Sequence, residues 1–75
     1  MVNSTEYIQL QRQIAKNVKR LRKEKNLSQL DLALLSDCSR NQVSRIENCE
    51  VNPSLLFLTK LAESLNTTVL ELISK

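Results

Sequence analysis

The sequence predicts an all-α fold of five short helices, and three observations carry that prediction. The 75 residues contain no Gly and one Pro, the two residues that most weaken a helix interior. Apolar residues recur at spacings of three and four, not at the spacing of two that marks a strand. Between those runs stand Ser, Thr, Asn and Asp, which start and stop helices by bonding exposed backbone groups.

Leu10, Ile14, Val18 and Leu21 form the apolar stripe of a first helix, expected from about Thr5 to Lys25. Ser4 or Thr5 can cap its start, and Asn26 tolerates the left-handed conformation that ends it. Ser28 caps a second helix, with Asp31 as an acidic first-turn residue and Leu32 and Ala33 as core contacts. Asp37 and Cys38 fall in a tight corner, where Asp is among the few non-glycine residues that accept positive φ. Ser39 caps a third helix over Arg40 to about Asn48, anchored by Val43 and Ile46. Asn52 and Pro53 break the chain, and Ser54 caps a fourth helix whose apolar face is Leu55, Leu58, Leu61, Ala62 and Leu65. Asn66 stops it. Thr68 caps a last short helix that turns Val69 and Leu72 inward.

Composition narrows the function classes. One domain over residues 1–75 is all this length allows, and a domain of such size buries only roughly 60% of the surface of its unfolded chain, so pairing with a second copy helps it. The apolar runs Leu32–Leu35 and Leu55–Leu58 fall far short of the roughly 20 residues that span a bilayer. The N-terminus lacks the basic-then-apolar pattern of a secretion signal. A cytoplasmic, non-membrane protein is therefore expected. With no His, and with Cys38 and Cys49 outside any paired spacing, neither a zinc site nor a histidine-activated thiol is expected; nor is any cofactor or small-molecule ligand. No carboxylate pair or Gly-rich phosphate loop suggests an enzyme. Charge is uneven: residues 1–25 hold seven cations against two anions, and residues 26–75 four against six. That imbalance fits an anionic partner on one side, or equally a solvated helix face.

The third helix carries the most specific signal. At about 100° per residue, Val43 and Ile46 define a buried direction, and Asn41, Ser44, Arg45 and Asn48 project opposite to it. Arg40 lies at the N-terminal end, the end that leads into a major groove. Arg matches guanine O6 and N7, and Asn matches adenine N6 and N7, each worth roughly 1–3 kcal/mol of discrimination. Gln29 and Ser39 stand at helix N-termini, where free N–H groups favour a phosphate, and Gln42 flanks the buried stripe.

The ordered series Val18-x-x-Leu21-Arg22, Leu27-Ser28-Gln29-x-x-Leu32-Ala33, Val43-Ser44-Arg45-Ile46-Glu47 and Asn52-Pro53-Ser54-Leu55-x-x-Leu58-x-x-Leu61-Ala62-x-x-Leu65 resembles the helix-turn-helix family of phage repressors and Cro proteins. The match spans about Val18 to Leu72. It implies a compact, repressor-like DNA-binding domain whose helix-turn-helix covers about residues 28–48, with double-stranded operator DNA bound by a homodimer. By this resemblance Arg40, Asn41, Ser44 and Arg45 touch bases. Gln29, Ser39, Gln42 and Asn48 serve as phosphate contacts, and Gln29 also braces the first residue of the third helix. Arg22 and Glu47 are implied as a partly buried ion pair. The sequence departs from the family where Asn26, Asp37, Cys49 and Asn66 stand at positions often occupied by Gly; Cys49 is the unusual one, and puts the loop after the third helix in question.

Leu56, Phe57, Leu70 and Ile73 lie off the main apolar stripes, either as scattered surface side chains or as a two-fold interface. The interface would set two third helices roughly 34 Å apart, as palindromic half-sites require. Three functions follow in order of preference. The first is a sequence-specific transcription regulator, activating or repressing, with control by its own concentration since no second domain is seen. Among stand-alone domains of this length, a restriction–modification controller is preferred to a small Cro-like repressor, because the first helix has an N-terminal extension and the chain ends soon after the fifth. The second is an antitoxin-type protein-binding module presenting Leu30, Leu34 and Leu35. An enzyme comes last.

Overall fold

A computed structural model describes residues 4–75. It contains α1 (Ser4–Glu24), α2 (Gln29–Leu35), α3 (Arg40–Glu47), α4 (Leu55–Ser64) and α5 (Val69–Leu72), with no strand among the described residues. α1 packs against α3 and α5, α2 against α3 and α4, and α4 against α5. The core they enclose is Ile14, Val18, Leu32, Ala33, Val43, Ile46, Leu58, Leu61, Ala62, Leu65 and Leu72. Ala33 is fully buried, and its small side chain permits the close approach of neighbouring backbone that a tight helical corner needs.

Helix starts follow one device. The hydroxyls of Ser28, Ser39, Ser54 and Thr68 accept the backbone N–H of Asp31, Gln42, Phe57 and Glu71. For α2 and α3 the bond is reciprocal: the side chains of Asp31 and Gln42 accept the N–H of Ser28 at 2.8 Å and of Ser39 at 2.9 Å. Each satisfies two donors that a helix otherwise leaves unpaired.

Helix ends follow another. Asn26, Asp37, Cys49 and Asn66 have φ of 57°, 53°, 59° and 55°. After each, the next N–H reaches back to the carbonyl five residues earlier: Leu27 to Arg22, Cys38 to Ala33, Glu50 to Arg45 and Thr67 to Ala62. This is the Schellman termination, normally made with Gly. Its recurrence at Cys49 resolves the question raised by the sequence: the loop after α3 keeps the left-handed backbone, although a β-carbon makes it cost roughly 1 kcal/mol or more.

Three expectations are corrected. α1 begins at Ser4, so Ser4 and Thr5 are its first helical residues and not the cap position ahead of it. Leu10, placed on the buried stripe, is 40% exposed. Residues 5–10 are all exposed, so the first turns of this 21-residue helix, about 32 Å long, stand clear of the core that its later turns cover. Leu55, placed on the α4 face, is 77% exposed. It is the first residue of α4 and lies about 70° around from the centre of the face formed by Leu58, Leu61, Ala62 and Leu65.

Candidate nucleic-acid interface

α3 rests on a platform of core side chains and ion-paired groups. Val43 is fully buried and Ile46 nearly so, which fixes the roll of the helix. Its far end is pinned by Arg22 of α1. The guanidinium donates through Nε to Glu47 Oε2 at 2.6 Å and through Nη2 to Glu47 Oε1 at 3.0 Å, a two-pronged geometry that resists rotation. Its remaining Nη1 donates to the Leu27 carbonyl at 2.8 Å, tying the α1–α2 connection to the same point. The Arg22 and Glu47 side chains are only 10% and 3% exposed. The hydrogen bond to Glu47 holds the Arg22 guanidinium above its already high ordinary pKa, against the opposing effect of burial, so the charge is permanent.

Gln29 adds a third tie, donating from Nε2 to Glu47 Oε1 at 3.2 Å. The resemblance implied a brace on Arg40 at the opposite end of α3. That expectation is corrected: the Gln29 amide is drawn to the one buried carboxylate within reach, and no hydrogen bond joins it to Arg40 among the described residues.

On the outer face, Arg40, Asn41, Arg45 and Asn48 are exposed and Ser44 is half-buried. Arg40, Asn41 and Arg45 make no side-chain hydrogen bond or ion pair among the described residues. Their donors and acceptors are thus unspent. Asn48 lies at the C-cap of α3, with its Nδ2 a long 3.5 Å from Ser44 Oγ. Ser39 and Gln42 are exposed but largely committed to each other through the cap, leaving the Gln42 Nε2 donor unused. A shallow groove beside Arg45 is lined by Gln42, Val51, Asn52, Pro53, Ser54 and Phe57.

The sequence reading missed two supports. Gln11 donates to the Val51 carbonyl at 3.1 Å, and the Cys49 thiol lies 3.9 Å from the Gln11 carbonyl, so α1 also braces the loop after α3. Asn17, 5% exposed, directs Nδ2 at the carbonyls of Glu71, Leu72 and Ser74 at 3.2, 2.8 and 2.7 Å. It fastens α5 to α1. The signal was present: Asn17 stands three after Ile14 and four before Leu21, on the core-facing period.

Of the residues suspected of pairing two copies, Leu56 and Leu70 are 67% and 71% exposed, whereas Phe57 and Ile73 are half-buried against the core. Leu30, Leu34 and Leu35 are exposed on α2. Cys38 is half-buried, and desolvation raises its thiol pKa above the ordinary value, with Lys60 opposing. Among the described residues, no group of three or more potential metal ligands gathers, and no helix is long and apolar enough to cross a membrane.

Residues 18–72 match the family described as helix-turn-helix. The chain is also 39% identical over 62 residues to the control protein C.SmaI of Serratia marcescens, covering 83% of this chain and 74% of that protein. This chain belongs to the helix-turn-helix family. DNA-binding regulation of transcription is the function that this membership carries. Two solved structures superpose closely on this chain. The restriction–modification controller protein C.AhdI of Aeromonas hydrophila is 35% identical with a TM-score of 0.79, over 83% of this chain and 94% of that one. The hypothetical transcription factor NHTF of Neisseria is 29% identical with a TM-score of 0.84, over 87% and 75%.

Proposed function

We propose that this helix-turn-helix protein is a non-catalytic, cytoplasmic restriction–modification controller that binds palindromic operator DNA as a homodimer. In this reading α2 and α3, joined at the Asp37 corner, are the helix-turn-helix, and α3 enters the major groove. Arg40, Asn41, Ser44 and Arg45 read bases; Gln29, Gln42 and Asn48 touch phosphates; Ser39 presents its helix N-terminus to a phosphate while its hydroxyl holds the cap. The observation that carries it is that three of the four base-reading side chains are exposed and unpartnered on a helix pinned from behind by Val43, Ile46 and the Arg22–Glu47 pair. A polar face free of internal bonds can turn its donors and acceptors to base edges, and a support that is already rigid spares the cost of ordering the helix itself on binding. The likeness to two controller proteins, one matched over 94% of its chain, supports the controller over a Cro-like repressor.

The test compares a duplex recovered by selection from a random library with a random-sequence duplex. Arg40→Ala and Arg45→Ala are each expected to lower discrimination by roughly 1–3 kcal/mol, about five- to 150-fold. Full discrimination retained by both variants would remove α3 from the role. A second reading, a protein-binding module, draws on exposed Leu30, Leu34 and Leu35. A stoichiometric partner whose capture fails in Leu34→Asp, together with no sequence preference on DNA, would favour it.

A further inference from the structure

α1 carries a second polar feature that the groove-reading role leaves unused. Arg12, Lys16, Lys19 and Lys23 recur at spacings of four, three and four and so fall on one ridge about 16 Å long. All four are exposed, and none makes a hydrogen bond or ion pair among the described residues. Arg20 on the neighbouring line behaves differently, being paired with Glu24 at 3.2 Å. Like charges four residues apart weaken a helix, and here no internal anion offsets that cost.

The place of the ridge follows from the contacts of α1. Gln11 and Arg22 mark the side facing α3 and its following loop, through Val51 and Glu47. Asn17 marks the side facing α5. At about 100° per residue, only the small buried Ala15 separates the ridge from the α3-facing line, whereas Gln13, Arg20 and Glu24 separate it from the α5 side. The ridge therefore borders the C-terminal flank of α3 and turns away from α5. We infer that Arg12, Lys16, Lys19 and Lys23 form a phosphate-tracking ridge that grips the DNA backbone outside the half-site read by α3. This rests on the reading of α3 as the groove reader, because continuity with α3 selects the occupant. A duplex lying along that helix presents one negative charge per roughly 1.7 Å of axis beside it. Such a ridge adds affinity and no sequence preference.

The test uses the full chain with Arg12, Lys16, Lys19 and Lys23 all changed to Gln, and the pair Lys16→Gln/Lys19→Gln should the fourfold variant melt early. Binding is measured across salt concentrations on three probes: the selected duplex, the same duplex trimmed of flanking base pairs, and a random duplex. The fourfold variant is expected to weaken binding to the selected and random duplexes alike. It should flatten the salt slope by roughly 2–4 per protomer, at about 0.9 for each phosphate no longer neutralised, and the pair by about half that. Trimming the flanks should erase the difference between variant and wild type. An unchanged slope, with Arg45→Ala still lowering discrimination, would overturn the ridge alone and leave the groove reader standing. Persistence of the difference on the trimmed duplex would overturn the flanking position. Loss of binding to phosphatidylserine vesicles with the DNA slope unchanged would assign the ridge to a membrane surface instead. A wild type with no preference among duplexes would bring down the underlying reading.

Discussion

At the scale of single residues, the Arg22–Glu47 pair and Cys49 make opposite cases about cost. Removing one member of a buried ion pair strands the other without hydration, which typically costs about 3–5 kcal/mol, while replacing both with apolar residues of similar size is often neutral. A domain of this length has a total stability of roughly 4–11 kcal/mol. Glu47→Ala is thus expected to forfeit a large share of it, with Arg22→Met/Glu47→Leu recovering most of the deficit in urea melts; a deficit for Glu47→Ala below about 1 kcal/mol would show that water reaches the pair. Even with stability restored, the double variant should bind DNA less well, because Gln29 and the Leu27 carbonyl lose their common anchor with α3. Cys49 holds φ of 59° with a β-carbon present, and its thiol makes only the long approach to Gln11. Cys49→Gly relieves the left-handed strain but adds freedom to the unfolded chain. The balance predicts a gain of about 0.5 kcal/mol. Asn26→Gly should give less, since Asn tolerates that backbone better than Cys.

At the scale of elements, the caps explain why so much of the fold is legible in the sequence. A hydroxyl three residues ahead of the N–H it accepts is a local device, so Ser28, Ser39, Ser54 and Thr68 announce four helix starts with no knowledge of the fold. Asn26, Asp37 and Asn66 announce the stops in the same local way. Periodicity tells only a direction and not how far a neighbouring helix reaches, so Leu10 stays partly exposed on the stripe of α1, while Leu55 is exposed because it stands at the edge of its own stripe. Spacing along the chain does not reveal which buried carboxylate lies within reach, so the Gln29 amide bonds at the end of α3 opposite to the one expected. The α2 cap also yields a pH prediction. Accepting the Ser28 N–H and its hydroxyl's bonding holds the Asp31 carboxyl below its ordinary value of 3.8. A group whose folded pKa is depressed contributes stability that is complete above the unfolded value and disappears as pH falls through the folded one. The stability difference between wild type and Asp31→Asn should accordingly be constant above about pH 5 and shrink below 3.8. A difference that persists to pH 2 would mean that the carboxylate charge does not matter to the cap.

At the scale of the whole molecule, α5 is four residues long and too short to hold its place by helix formation alone. The buried Leu72, the partly buried Val69 and Ile73, and the Asn17 amide beneath its last carbonyls hold it. Its Leu70, with Leu56 of α4, remains exposed, and on the proposed reading these two cover each other's counterparts in a second copy, with the edges of Phe57 and Ile73. Leu70→Asp and Asn17→Ala attack that interface from opposite sides. Leu70→Asp leaves the core untouched, so the variant should keep wild-type helicity but run as a monomer in sedimentation at concentrations where wild type is a dimer. Asn17→Ala strands buried carbonyls at about 1–3 kcal/mol and frees α5, so both the melting temperature and the dimer fraction should fall. A repeat with Ile73→Asp would be less informative, because that side chain is partly seated in the core and its removal mixes folding with assembly. Unchanged mass for Leu70→Asp would place the two-fold interface elsewhere, and the exposed leucines of α2 would be the next surface to change.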